Sequence, residues 1–182
     1  MKKYVALLTV GMALQCAAMD ASEIKAIVAK PHDDRNIVPE LRVLTLGREF
    51  EIVASSGQPG GPLTKHAPVI SKDKVVEGRY VVSEFQPENT PAPVYEVVEY
   101  DGGEGVYRSW LLFPHGKVVE GVGVALSEAR VVSWTRLETP YGDNTQSVSV
   151  VKYTDDGGEW NEVIRNGSKI VFLNNGRARK VK

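Results

Sequence analysis

After Gly47 the chain advances in short apolar–polar alternations, each run closed by Gly or Pro, and helical spacing does not return. Val75-Val76-Glu77-Gly78-Arg79-Tyr80-Val81-Val82-Ser83-Glu84-Phe85 is one example. Val94-Tyr95-Glu96-Val97-Val98-Glu99-Tyr100-Asp101-Gly102-Gly103 is another. Runs rich in Val, Tyr, Phe and Trp between turn residues are strand-and-turn signals. The alternation predicts ten strands, at residues 49–55, 69–76, 79–85, 94–100, 107–113, 117–125, 129–137, 147–154, 160–165 and 168–173. Asn166-Gly167, Glu77-Gly78, Asp101-Gly102-Gly103 and the 155–158 Asp-Asp-Gly-Gly stretch supply tight reversals, because Gly and Asn accept positive φ at little steric cost.

Sequential strands with short connections and no crossover helices must pair antiparallel. A sheet of ten strands exposes two edges unless it closes, so the pattern predicts an all-β, up-and-down antiparallel barrel. A two-layer sandwich is the alternative. In an up-and-down order the connections alternate between the two ends. The long ones, 56–68, 86–93 and 138–146, are first, third and seventh, and so share one end. The predicted shape has one loop-fringed mouth, with 56–68 as a natural lid, and one base of tight turns.

Two short helices precede the strands. Residues 22–30 place Ile24, Ile27 and Val28 on one side before Pro31, and Pro39 opens a turn in which Leu41 and Leu44 share a face before Gly47. Further upstream, Lys2 and Lys3, an apolar run over 4–14 and Cys16-Ala17-Ala18 have the order of a secretory signal peptide. Cleavage after Ala18 leaves a single domain, 19–182, without cysteine or disulfide and without a transmembrane segment, in a secreted or periplasmic location. The alternative makes Cys16 a lipidated N-terminus, against which stands Gln15, where lipoprotein signals carry a small residue.

Losing Lys2 and Lys3 takes the basic count from 22 to 20 against 23 acids, a mature net charge of −3. That balance argues against a nucleic-acid partner, which needs a basic face. The Arg177, Arg179, Lys180, Lys182 tail reads as a solvated chain end.

Gly78-Arg79-Tyr80 with Glu84, then Tyr100-Asp101, Tyr107, Trp110 and Gly121 resembles a lipocalin-like (calycin) family of bacterial proteins catalogued as domain of unknown function fifteen-seventy-nine. A short Leu-rich helix, a Gly and a strand, as in 41–53, belong to the same pattern, which spans 39–172. Phe50 stands where the family usually has Trp, and Glu99 where it usually has Gly. The resemblance implies a barrel with an interior cavity and no catalytic residues.

Three alternating sets put an aromatic beside a charge on one strand face: Tyr80, Val82 and Glu84; Arg108, Trp110 and Leu112; Arg130, Val132, Trp134 and Arg136. Facing inward, Tyr80, Glu84, Arg108, Trp110, Trp134 and Arg136 would line a cavity suited to a small hydrophobic or amphipathic ligand. Facing outward, they would be surface, with Val81, Ser83, Phe85 and Tyr107, Leu111, Phe113 as the core. The second arrangement is the more apolar inside.

His32, His66 and His115 each lie within two residues of a proline, in loops, with no spacing that sets two on one element for a metal. No cofactor is expected: small barrels of the calycin group bind haem through a histidine, for which His115 would be the residue, but all three histidines read better as exposed loop residues. The 154–160 stretch is one residue short of the sialidase Asp-box, and its carboxylate spacing does not fit a calcium loop, so it reads as a hairpin tip. No nucleophile-elbow, zinc-protease, P-loop or dinucleotide motif is present. The expected function is binding of a small, partly hydrophobic ligand. The alternatives are a plugged-barrel interaction module and a hydrolase or isomerase at the mouth, the last requiring His66 or His115 to meet a carboxylate.

Overall fold

The computed structural model describes residues 19–44, 48–88, 90–126, 130–139, 142 and 144–181. The expected signal peptide, Cys16 with it, and the expected stop at Gly47 lie outside the described residues. Eleven strands follow two short helical segments: β1 Glu49–Gly57, β2 Thr64–Lys65, β3 Val69–Val76, β4 Tyr80–Phe85, β5 Val94–Asp101, β6 Val106–Leu112, β7 Val118–Ala125, β8 Val131–Arg136, β9 Thr145–Thr154, β10 Gly157–Asn166 and β11 Lys169–Lys180. All pairings are antiparallel and run in sequence from β3 to β11. The last strand then pairs with β1, so ten strands close a barrel. The additional strand, β2, lies within the first connection and continues the line of β3 along β1.

The ten barrel strands, their order and closure match the alternation; most boundaries shift by a few residues, and three of the shifts matter. β11 extends to Lys180, so most of the basic tail is wall rather than free end: Arg179 pairs with Glu51 and Arg177 with Glu159 across neighbouring strands. Opposite charges on facing positions favour this register by roughly 0.2–1 kcal/mol each. β10 begins at Gly157, leaving Asp155-Asp156 alone as the turn. β6 stops at Leu112, and Phe113 turns out to pack its ring 5.8 Å from that of His115.

Helix α1, Ala21–Ala29, starts at Asp20, whose carboxylate accepts from the Ser22 and Glu23 amides while Glu23 returns a bond to the Asp20 amide. Its last carbonyls are taken by Lys74 on β3, which donates to Lys30 O at 2.7 Å and also to Val28 O. The helix lies on the outside of the barrel, where Ile24 and Ile27 bury Val76, Val82, Val97, Trp110 and Leu112. The Pro39–Val43 segment is a 3-10 turn, whose three-residue period stacks Leu41 under Leu44. It closes the base from inside, packing on Val81, Val98, Tyr107, Val132 and Trp134, and Tyr107 Oη donates to Glu40 O at 3.0 Å.

Between the two helical segments the chain straps across the β3–β4 turn. Asp33 N donates to Val75 O at 2.8 Å, Gly78 N to Asp33 O at 3.1 Å, and Val38 N to Gly78 O at 2.9 Å. Gly78 sits at φ +64, and a Cβ there would meet Arg35 O at 2.5 Å and Asn36 O at 2.8 Å. The glycine of the Gly78-Arg79-Tyr80 motif thus admits both a left-handed turn and a crossing backbone. Replacing Gly78 by Ala should lower stability by about 2 kcal/mol or more. Gly102→Ala, where an added Cβ meets nothing within 4 Å, should change it by no more than about 0.5 kcal/mol. Paired urea titrations showing equal midpoints would refute this account of the strap.

Candidate functional site

The inner wall is set by the register. Asp73 faces Ser83, which faces Glu96. On the far side Val132 faces Val151, which faces Trp160, and Trp160 faces Gly176. Residues two apart along a strand share a face, so these rows identify the whole interior. The base half is filled by the 3-10 turn and its aromatics. Above it opens a cavity of about 560 Å³, reaching His66, Ala67 and Pro87 of the first and third connections at the mouth.

Glycines seat the indoles that wall the cavity. A Cβ on Gly123 would lie 2.8 Å from Cε3 of Trp134, its cross-strand neighbour, and one on Gly176 would collide with the ring of Trp160. Each ring can therefore lie close against the wall instead of crossing the lumen. Phe50, Ile52, Val69 and Phe85 complete the apolar surface.

Polar groups enter from several strands. Arg136 Nη2 donates to Glu96 Oε1 at 2.7 Å, a bond between β8 and β5. Glu162 accepts from Asn174 Nδ2 at 3.0 Å. Asp73 accepts from Ser71 Oγ at 2.8 Å. Burial holds the Asp73 carboxyl up at about 6, with nearby Glu96 acting in the same direction against the serine hydrogen bonds from Ser71 and Ser83. Burial also raises the Tyr153 phenol, again helped by Glu96 and opposed by a Trp134 hydrogen bond. At the mouth, Ser56 Oγ lies 2.5 Å from His66 Nε2.

Of the residues nominated from sequence, Trp134 and Arg136 line the cavity. Tyr80, Glu84, Arg108 and Trp110 do not, because β4 and β6 turn those positions outward. Outward is not surface here: α1 covers Trp110 to 2% exposure. Arg108 is buried between Asp101 at 3.1 Å and Glu104 at 2.7 Å, two turn carboxylates that account for its outward position. Val81, Ser83, Phe85, Tyr107 and Leu111 occupy the inner face instead, while Phe113 leaves the strand. Asp73, Glu96, Glu162 and Trp160 are cavity residues that alternation passed over.

His66 borders the cavity and His115 does not, the latter lying in the fifth connection against Phe113. Neither forms an ion pair with a carboxylate among the described residues, where His32 alone does, with Asp34 at 3.7 Å. The Ser56–His66 contact pairs a hydroxyl with a base, and among the described residues no third group orients the histidine for catalysis. Nor do three His, Cys, Asp or Glu side chains converge on a metal position among the described residues. No helix in the described residues is long and apolar enough to cross a membrane.

The closed antiparallel barrel with a partly filled, partly hollow interior is thus the class of architecture this chain forms. Compared with known proteins, the sequence matches no family model and no curated protein.

The Asp73 carboxyl sets a stability response. Its ordinary value is 3.8 and its folded value about 6, so between those limits the folded state retains a proton that the unfolded chain has released. The stabilising contribution is complete below about pH 4 and lost as pH rises through about 6. Asp73→Asn, which keeps a neutral acceptor there, should therefore be more stable than the parent near neutral pH, by up to about 3 kcal/mol. The difference should vanish toward pH 4. Urea unfolding across that range checks both, and a variant less stable at neutral pH would contradict the assignment.

Proposed function

We propose that the protein is a lipocalin-like carrier, secreted or periplasmic after removal of residues 1–18, that binds a small, partly hydrophobic ligand in the barrel interior. The observation that carries this reading is the cavity of about 560 Å³, walled by Phe50, Phe85, Trp134 and Trp160 with a few buried polar groups among them. That volume lies within the range of small-molecule sites, roughly 300–1,000 Å³, and the mixture of walls is typical of them. Kinship with the lipocalin-like family named above belongs to the same proposal, resting on the Gly78-Arg79-Tyr80 strap and the Tyr100-Asp101 turn.

Native mass spectrometry of protein purified from its own host should show a retained small molecule, and an apolar fluorescent probe should bind the stripped protein and quench its tryptophans. Ala54→Trp, which places an indole in the cavity wall, should weaken the probe by at least about ten-fold. Undiminished binding would move the site elsewhere.

A second reading, a protein-interaction module, is favoured by one feature of the outer wall. Val124 on β7 and Val148 and Val150 on β9 stay 48%, 45% and 42% exposed, with only Ser133 and Thr135 between them. Contiguous exposed valines suit a contact surface. If they serve one, Val148→Glu with Val150→Glu should abolish a concentration-dependent assembly seen by sedimentation while leaving probe binding intact.

A further inference from the structure

Two carboxylates that face the hollow meet no cation. Asp73 on β3 is bonded by serine hydroxyls, and Glu162 on β10 by the neutral amide of Asn174 at 3.0 Å. Neither forms an ion pair among the described residues. The cavity's one guanidinium, Arg136, is matched by Glu96 at 2.7 Å. Its unpartnered Nε is buried and turned to β7, 3.4 Å from where a Cβ on Gly121 would stand. His66, the remaining base, is engaged with Ser56 at the mouth. Among the described residues the interior therefore carries three carboxylates against one guanidinium, on walls that are largely apolar and aromatic.

For the desolvated Asp73 carboxylate an uncompensated charge is costly, and in a low-dielectric hollow its attraction for an opposite charge is stronger than in water. An anionic ligand would add repulsion to this field, and a neutral one would leave it unrelieved. An organic cation supplies what the side chains lack, and the face of Trp160 offers it a further electrostatic partner.

We propose, building on the ligand-binding reading above, that the ligand is a small amphipathic amine, its ammonium drawn to Asp73 in a hollow that Glu162 makes more negative, and its apolar body lying against Phe85 and Trp160. The cavity selects for positive charge as well as for hydrophobic bulk.

Three probes of equal chain length separate charge from bulk: octylamine, octanol and octanoate, titrated calorimetrically into the mature chain near neutral pH. Octylamine should bind about ten-fold or more tightly than octanol, the factor expected of one charge-assisted hydrogen bond, and octanoate more weakly than either. Asp73→Asn with Glu162→Gln should remove the preference for the amine while octanol affinity stays within about twofold, circular dichroism confirming the fold. The wild-type comparison decides the matter even if the double variant does not fold. Octanol or octanoate binding as tightly as octylamine overturns the charge selection and leaves the carrier reading standing. Failure of all three probes to bind overturns both.

Discussion

The ladder between β1 and β11 is the interaction on which the rest depends. Eight consecutive partners, from Phe50↔Lys180 to Gly57↔Leu173, join the first strand to the last. Without it the sheet has two open edges and no interior. With it, inward and outward become distinct environments, and every second residue on each strand is committed to one of them. The ladder tolerates a polar sequence in β11, since main-chain hydrogen bonds do not depend on side-chain type. What the inner face of β11 requires is smallness: Gly176 and Ala178 leave room for Trp160 and for the backbone turn at Gly157.

Burial is then distributed unevenly around and along the barrel. On β4 to β6 both faces are covered, the outer by α1 and the inner by the Pro39–Val43 turn and its aromatics. On β7 and β9 the outer face is bare at Val124, Val148 and Val150. Along the axis, Leu41 and Leu44 fill the base, so the hollow is confined to the mouth half. One N-terminal segment therefore does two jobs on opposite sides of a single wall, and the strap hydrogen bonds at Val75, Gly78 and Asp33 hold both parts of it in place.

This division explains which features were legible in the sequence. The barrel's strand count, order, α1 and the turns were readable because they rest on local chemistry: alternation, Ile24, Ile27 and Val28 on one side before Pro31, glycine at Gly78 and Gly167. The inner face was legible only in part: the more apolar arrangement does put Val81, Phe85, Tyr107 and Leu111 inside on β4 and β6, but β8 turns Trp134 and Arg136 inward. Period-two alternation names a face only where one side is buried and the other wet. On β6, Arg108-Ser109-Trp110-Leu111-Leu112 is buried at four of its five positions, so burial does not separate its two faces. Trp110 looked like a cavity aromatic because nothing local shows that Ile24 and Ile27, some eighty positions earlier, lie over it. β11 failed for the opposite reason, as its Asn174-Asn175-Gly176-Arg177 sequence has no apolar period to read.

The cavity residues were missed through the same rule working in reverse. Alternation by itself points polar positions to solvent, whereas the register turns Asp73 and Glu162 inward. A hollow barrel is the one soluble β architecture in which an inward carboxylate need not be an error of folding, because the interior retains space for solvent or a ligand to meet it. Close packing would have served stability better at these positions, since apolar side chains remove both the void and the desolvated charge. The structure combines indoles seated on glycine, which keep the lumen open, with acids lacking a protein cation, which keep it polar. Those two features come from different strands, and the proposed occupancy of the lumen by a small molecule would account for both.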